Sequence, residues 1–92
     1  MPTLQDIIKA CSSQVPPCYI QKIIEVDAQL ASGVPYTRIG GQRIHQCRSI
    51  VRFKIGRSLR LVYLLKGGAL EPYHLITRQK FDQLLRRRLK HR

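Results

Sequence analysis

Residues 50–76 decide the fold, and they read IVRFKIGRSLRLVYLLKGGALEPYHLI. Branched and large apolar residues dominate this stretch, and turn residues recur at short intervals, as is typical of consecutive antiparallel strands. The turn signals are Gly56-Arg57-Ser58 and Gly67-Gly68. The pattern therefore predicts three strands, at 50–55, 59–65 and 70–76. Pro72 cannot donate a ladder hydrogen bond, which predicts that the third strand lies at an edge of the sheet.

The alternation of side chains within the first hairpin predicts its register, because successive strand residues point to opposite faces. Pairing of Ile55 with Leu59 keeps the apolar rows on one side and places Lys54 opposite Arg60. A slip of one residue would mix the apolar and the cationic sets, so burial selects this register. The hairpin is therefore predicted to have an apolar face against the helices and a cationic face with Arg52, Lys54 and Arg60 towards solvent. The apolar face carries Val51, Phe53, Ile55, Leu59, Leu61, Tyr63 and Leu65.

The flanking segments have helical periodicity. Thr3 and Asp6 have the spacing of a capping box, and Pro17 and Gly33 suit the start and the end of a second helix. Apolar side chains follow each start at helical spacing, and they do so again near the C-terminus, at Phe81, Leu84, Leu85 and Leu89.

Together these elements predict one α+β domain over residues 1–92. An N-terminal helical hairpin in residues 1–36 packs on an antiparallel three- to four-stranded sheet in residues 37–78, and a basic C-terminal helix follows in residues 79–92. A short strand within residues 43–47 would supply the fourth strand.

Charge is unevenly distributed along the chain. The 17 Lys and Arg residues outnumber the 5 Asp and Glu residues, for a net charge of +12. Residues 1–36 carry only two of the basic side chains and three of the acidic ones, so the whole excess lies in residues 37–92. Such asymmetry favours a polyanionic partner, RNA above all, over the alternative of a merely well-solvated basic surface.

The cysteines and the hydropathy of the sequence limit the cofactors and the cellular location that we expect. Cys11, Cys18 and Cys47 form no C-x-x-C pair, and His45 with Cys47 offers too few ligands for zinc. Neither a membrane-length apolar run nor a secretory signal is present in the sequence. We therefore expect no metal, no cofactor, no membrane contact and a cytoplasmic location.

Roughly residues 42–85 resemble the RelE/ParE toxin superfamily. Arg52-x-Lys54 followed by Gly56-x-x-x-Arg60-Leu61-Val62-Tyr63 is similar to the central hairpin of that superfamily. The later run His74-Leu75-Ile76-Thr77-Arg78, with Phe81 beyond it, is similar to the superfamily's last strand and the segment that follows.

The resemblance implies both a fold and an activity. The implied fold is a helical hairpin against an antiparallel sheet with a final helix, in agreement with the patterns above. RelE-like members cut mRNA in the ribosomal A site without metal, ParE-like members inhibit DNA gyrase, and both are held inactive by an antitoxin. The expected function is thus that of a type II toxin, first as a metal-independent, ribosome-dependent endoribonuclease. The alternatives are a gyrase-inhibiting or catalytically inactive toxin-fold protein, or a plain basic nucleic-acid-binding module.

Two features depart from the superfamily's pattern. Its members usually open with a strand before the first helix, whereas here the first element is a helix, so the sheet either lacks that strand or gains a substitute from residues 43–47. RelE-like nucleases often place a Tyr near the C-terminus, and this sequence has no Tyr after Tyr73.

Metal-free RNA cleavage needs a base for the 2′-hydroxyl, an acid for the leaving 5′-oxygen and cations for the phosphate oxygens. A guanidinium matches two phosphate oxygens, which suits the charge-stabilising role. Lys54 is the candidate base, and His74 is a candidate acid or base. Simple alternation, however, places His74 on the apolar face with Ile76 unless a bulge near Pro72 turns it. The candidate catalytic residues are Arg52, Lys54, Arg60, His74 and Arg78.

A second set of residues is predicted to bind RNA. Alternation places Tyr73 on the cationic face, where its ring could stack on a base. The basic C-terminal helix adds charge that attracts the phosphate backbone. The candidate RNA-binding residues are Tyr73, Phe81, Arg86, Arg87 and Arg88.

Overall fold

The computed structural model describes residues 3–11, 15–45 and 48–90, and these residues contain a four-stranded antiparallel sheet. Its strands lie in the order β1 (Gln42–Arg43), β2 (Ile50–Ile55), β3 (Leu59–Lys66) and β4 (Ala69–Thr77). The three predicted strands are confirmed, and β4 lies at an edge, as Pro72 indicated. The predicted short strand is only partly confirmed: β1 begins one residue earlier and ends at Arg43, so Ile44 and His45 are not strand residues, and Gln46 and Cys47 lie outside the described residues.

The predicted register of the β2–β3 hairpin is also confirmed. The paired residues include Ile55 with Leu59, Lys54 with Arg60, and Arg52 with Val62. Because of this register, the apolar rows of both strands lie on one face and form most of the first core cluster.

Two helices cover that face. They are α1 (Leu4–Ala10) and α2 (Pro17–Ala31), and buried Ile7, Ile23 and Val26 join them to the sheet. The capping box of α1 is present, since the Asp6 amide donates to Thr3 Oγ1 at 3.1 Å and the Thr3 amide donates to Asp6 Oδ2 at 3.0 Å. The hydrogen bond from the Thr3 amide to the carboxylate lowers the pKa of Asp6. The predicted α+β arrangement is therefore the observed one.

The opposite face of the sheet is covered by α3 (Arg78–Lys90). The sequence predicts instead that this face is open to solvent. Phe81 of α3 is buried against Ile44, Ile50 and Val62 in a second core cluster. The physical reason lies in β3, whose residues from Leu59 to Tyr63 are all buried. A strand that is apolar on both sides needs a cover on both sides.

Gly56 turns the β2–β3 hairpin beneath the ring of Tyr19, and a Cβ atom there would overlap that ring. Its φ of 66° is also strained for other residues. We expect Gly56→Ala to lower the free energy of unfolding by about 1–2 kcal/mol for the backbone, with a further loss because the end of the Tyr19 side chain has to shift. Gly67 is the matched control, because its φ of 56° is similar but no atom lies within 4 Å of a Cβ there. Equal losses for Gly56→Ala and Gly67→Ala in urea unfolding would mean that α2 does not pack on this turn.

Tyr63 joins the sheet to α2. Its buried hydroxyl donates to Asp27 Oδ1 at 2.8 Å, and burial together with this bond and the Asp27 charge raises the pKa of Tyr63. Above about pH 10 the unfolded chain loses this proton while the folded protein keeps it, so stability should fall as pH rises. Between pH 9 and pH 11, we expect the free energy of unfolding to fall more steeply with pH in the parent than in Tyr63→Phe. The difference in slope should be up to about 1.4 kcal/mol per pH unit. Identical slopes for the two proteins would contradict the claim that the Tyr63 hydroxyl is buried and keeps its proton in the folded state.

Within the described ranges, the structure contains no helix that is both long enough and apolar enough to cross a membrane.

Candidate functional site

The candidate site lies on the sheet face that carries Arg52, Lys54 and Arg60, which we call the cationic face. Antiparallel pairing puts Lys54 directly opposite Arg60, as predicted. Like charges in this position destabilise a sheet by roughly 0.2–1 kcal/mol. The two side chains lie at different depths. Lys54 is exposed, whereas Arg60 is only 6 % exposed.

Arg60 is held in place by the backbone of its own hairpin. Its Nη1 donates to the Leu59 carbonyl at 2.8 Å and to the Arg57 carbonyl at 3.3 Å. Burial lowers the pKa of Arg60, the charges of Arg52 and Arg78 lower it further, and Asp82 opposes them. The structure thus brings the three predicted arginines together. The expectation that Arg60 faces solvent is wrong, because α3 packs over this part of the sheet.

Arg52 is fixed from the neighbouring strand. Its Nη2 donates to Gln42 Oε1 of β1, and the side chain is half-buried. Its Nε is buried and has no hydrogen-bond partner in the part of the chain that the structure describes. Buried polar atoms of this kind are uncommon in folded proteins, and they are often found where a ligand or a catalytic role explains them.

A β-bulge decides the position of His74. Tyr63 pairs with Pro72 but Val62 pairs with His74, so Tyr73 is an extra residue in β4. Val62 is also the partner of Arg52, which places His74 on the cationic face. Two strand spacings separate the backbones of Arg52 and His74, or about 10 Å.

The bulge also corrects the alternation that was expected for β4. His74 and Ile76 do not lie on the apolar face with the helices; Leu75 is buried there instead, opposite Leu61. His74 is exposed, and its ring centroid lies 4.1 Å from that of Tyr73. Tyr73 packs against the second core cluster and so lies on the cationic side, as predicted.

The C-terminal helix holds the remaining predicted residues. Arg78, at the start of α3, and Arg86 are exposed. Phe81 is only 2 % exposed and belongs to the second core cluster, so the prediction that it contacts RNA is wrong for this structure. The side chains of Arg87 and Arg88 lie outside the described residues.

Two residues of the site were missed from the sequence. Gln42 binds Arg52, and Asp82 is the acidic residue that acts on Arg60. Asp82 lies four residues after Arg78 in a helical segment, a spacing that brings opposite charges together, and this was the available local signal. Gln42 had no such signal, because its contact joins two different strands.

Among the residues that the structure describes, no three His, Cys, Asp or Glu side chains are close enough to share a metal ion. Positive charge at the site comes from the guanidinium groups and from Lys54.

The comparisons with known proteins place the chain in a family. A family model described as the ParE-like toxin domain matches residues 17–83. The matched segment includes α2, the whole sheet and the beginning of α3, and so it includes every candidate catalytic residue. Curated proteins and solved structures gave no significant match.

Proposed function

Because the chain belongs to the ParE-like toxin domain family, we propose that it is the toxin of a toxin–antitoxin pair and that it cleaves mRNA at the ribosome without a metal ion. The observation that carries the nuclease proposal is the position of His74. The bulge in β4 brings this exposed imidazole to the face that carries Lys54 and Arg60. Proton-transfer groups and charge-stabilising groups are therefore on one side of the sheet.

The proposed reaction is attack of a ribose 2′-oxygen on the adjacent phosphorus. The bond from phosphorus to the 5′-oxygen of the next nucleotide breaks, which leaves a 2′,3′-cyclic phosphate and a 5′-hydroxyl. His74 takes the 2′-hydroxyl proton, since imidazole exchanges protons readily near neutral pH. Lys54, an exposed ammonium on the same face, gives a proton to the leaving oxygen as the general acid. This assignment reverses the role that the sequence suggested for Lys54.

The arginines stabilise the phosphate. Arg78 is exposed and can contact the phosphate oxygens. Arg60 acts from beneath the surface, where water screens its charge less than it would screen an exposed one. Its two carbonyl contacts hold the guanidinium in one position. A charge that is placed before the reaction begins stabilises the transition state without reorganisation.

The test of this proposal is induction of the protein in a bacterial host, with growth and mRNA 5′ ends as readouts. We expect the parent to stop growth and to produce new mRNA ends, and His74→Ala to lose both effects. His45 is an exposed histidine in the β1–β2 connection, so His45→Ala is the matched control and should act like the parent. Intact mRNA in cells whose growth the parent has stopped would contradict the nuclease proposal and leave the toxin assignment in place.

A binding toxin that inhibits DNA gyrase is the second candidate. The burial of Arg60 favours it, since a guanidinium with so little exposed surface has little access to a phosphate. The absence of a Tyr after Tyr73 favours it as well. Under this alternative, plasmid supercoiling changes on induction while mRNA stays intact, so the same cultures separate the two candidates.

The partner proposed for the cationic face is an acidic segment of the antitoxin. A net charge of +12 attracts such a segment and steers its association. We expect the dissociation constant of the complex to rise with salt, and Lys54→Gln to reduce that dependence. Lys9, which is exposed on α1, supplies the control variant Lys9→Gln, which should leave the salt dependence unchanged. A complex that is insensitive to ionic strength, or one whose partner leaves the cationic face bare, would contradict this proposal.

A further inference from the structure

A groove runs between β4 and α3 beside His74. It encloses about 260 Å³, and its lining residues are His74, Ile76, Lys80, Gln83 and Leu84. His74 and Ile76 point to the same side of β4 because they are two residues apart. Lys80, Gln83 and Leu84 share one face of α3, at spacings of three and four residues. A strand and a helix therefore form the two walls.

Lys80 in the helical wall can attract a phosphate, but the other wall residues suit a nucleobase. Ile76 and Leu84 are apolar and would contribute nothing to a bound phosphate. The His74 ring can stack on a planar group, and the Gln83 amide presents a donor and an acceptor side by side, as base edges require. The volume lies below the roughly 300–1,000 Å³ of sites for drug-sized ligands, so the groove suits a small ligand.

The surroundings of the groove fit an RNA strand. Ile76, in the strand wall, is the partner of Arg60 in β3, and Arg78 precedes the helical wall by two residues. A phosphate at Arg78 would thus adjoin a base in the groove. A second hollow shares His74, Ile76 and Lys80 with the groove but also includes the carboxylate of Asp6, which repels phosphate.

We propose that this groove binds a single nucleobase of the RNA next to the cleaved phosphate, and that Gln83 determines which base is preferred. The inference rests on the proposed function, because it takes RNA as the ligand. Gln83 is a specificity residue with no part in the proton transfers.

The test is NMR titration of the isotope-labelled full chain with RNA trinucleotides that differ in one base, with inorganic phosphate in parallel. We expect the trinucleotides to shift the Gln83 side-chain amide and the Leu84 methyl groups, and phosphate alone to leave them in place. The affinities for the best and the worst base should differ roughly tenfold in the parent and by little in Gln83→Leu. Gln79 is exposed on the same helix and outside the groove, so Gln79→Leu is the matched control and should keep the parent's preference.

Two results would overturn the inference. One is that trinucleotides shift no groove signals beyond those that phosphate shifts. The other is that Gln79→Leu and Gln83→Leu change base preference equally. Binding is measured without ribosomes, so the two proposals can fail separately. Base-selective binding by a protein that cleaves no mRNA would contradict the nuclease proposal and support base binding in the groove. Cleavage without base-selective binding would remove only the groove.

Discussion

Replacement of Arg60 by Met is expected to reduce mRNA cleavage by roughly 10²–10³-fold, the usual effect of removing one preorganised charge-stabilising group. The folded protein should survive this change with its free energy of unfolding unchanged or raised. Arg60 is buried, its pKa is lowered chiefly by that burial, and two further arginines act on it unfavourably. Replacing such a charge by an apolar side chain of similar length removes an electrostatic penalty. Loss of activity with gain of stability is the signature of a residue kept for function.

The measurement combines cleavage of a reporter mRNA with thermal unfolding of the same preparation. Arg57, which is exposed in the adjacent turn, supplies the control Arg57→Met, and this variant should retain most of the activity. A stable Arg60→Met protein that cleaves like the parent would exclude Arg60 from the site. A protein that unfolds instead would show that the contacts with the Leu59 and Arg57 carbonyls outweigh the electrostatic penalty.

Replacement of Phe81 by Ala is expected to lower the free energy of unfolding by about 3–5 kcal/mol, as for other large-to-small changes in a core. Phe81 is 2 % exposed, and among the α3 side chains that the structure describes it is the one buried among Ile44, Ile50 and Val62. A loss of this size is a large fraction of the stability of a small domain. The first core cluster lies on the other side of the sheet and does not depend on this ring.

Urea unfolding measures this loss, and Leu84→Ala supplies the comparison. Leu84 lies on the same helix but is only half-buried and lies outside the second cluster, so its replacement should have a clearly smaller effect. Hydrogen exchange then locates the change. We expect faster exchange in α3 of Phe81→Ala and unchanged protection in β2 and β3. Equal losses for the two variants would mean that Phe81 is not the anchor of α3.

The strands and their first register could be predicted because their signals are local. Alternation with a period of two places Val51, Phe53 and Ile55 on one side, and the turn at Gly56 leaves one pairing that keeps such rows together. The prediction that β4 lies at an edge had the same kind of basis, since a missing amide proton is a property of Pro72 alone.

The extent of the candidate site depended on contacts between distant segments. Val62 and Leu64 already broke the cationic pattern of β3, but only the packing of α3 showed that they form a second core and that Arg60 lies beneath it. A helix about twenty residues away in sequence decides the solvent exposure of that guanidinium. The spacing of apolar residues within one strand does not show which distant segment will pack on it.

By itself, the sequence determined the α+β architecture, the pairing of Lys54 with Arg60 and the concentration of positive charge in residues 37–92. The tertiary structure alone decided the position of His74, because one extra residue in β4 reverses the side to which every later side chain points. The sequence indicated Pro72 as a place where a bulge could form. Whether β4 bulges there depends on how it pairs with β3, and that pairing depends on contacts across the whole sheet. The same contacts buried Phe81 and Arg60 and left Lys54, His74 and Arg78 exposed.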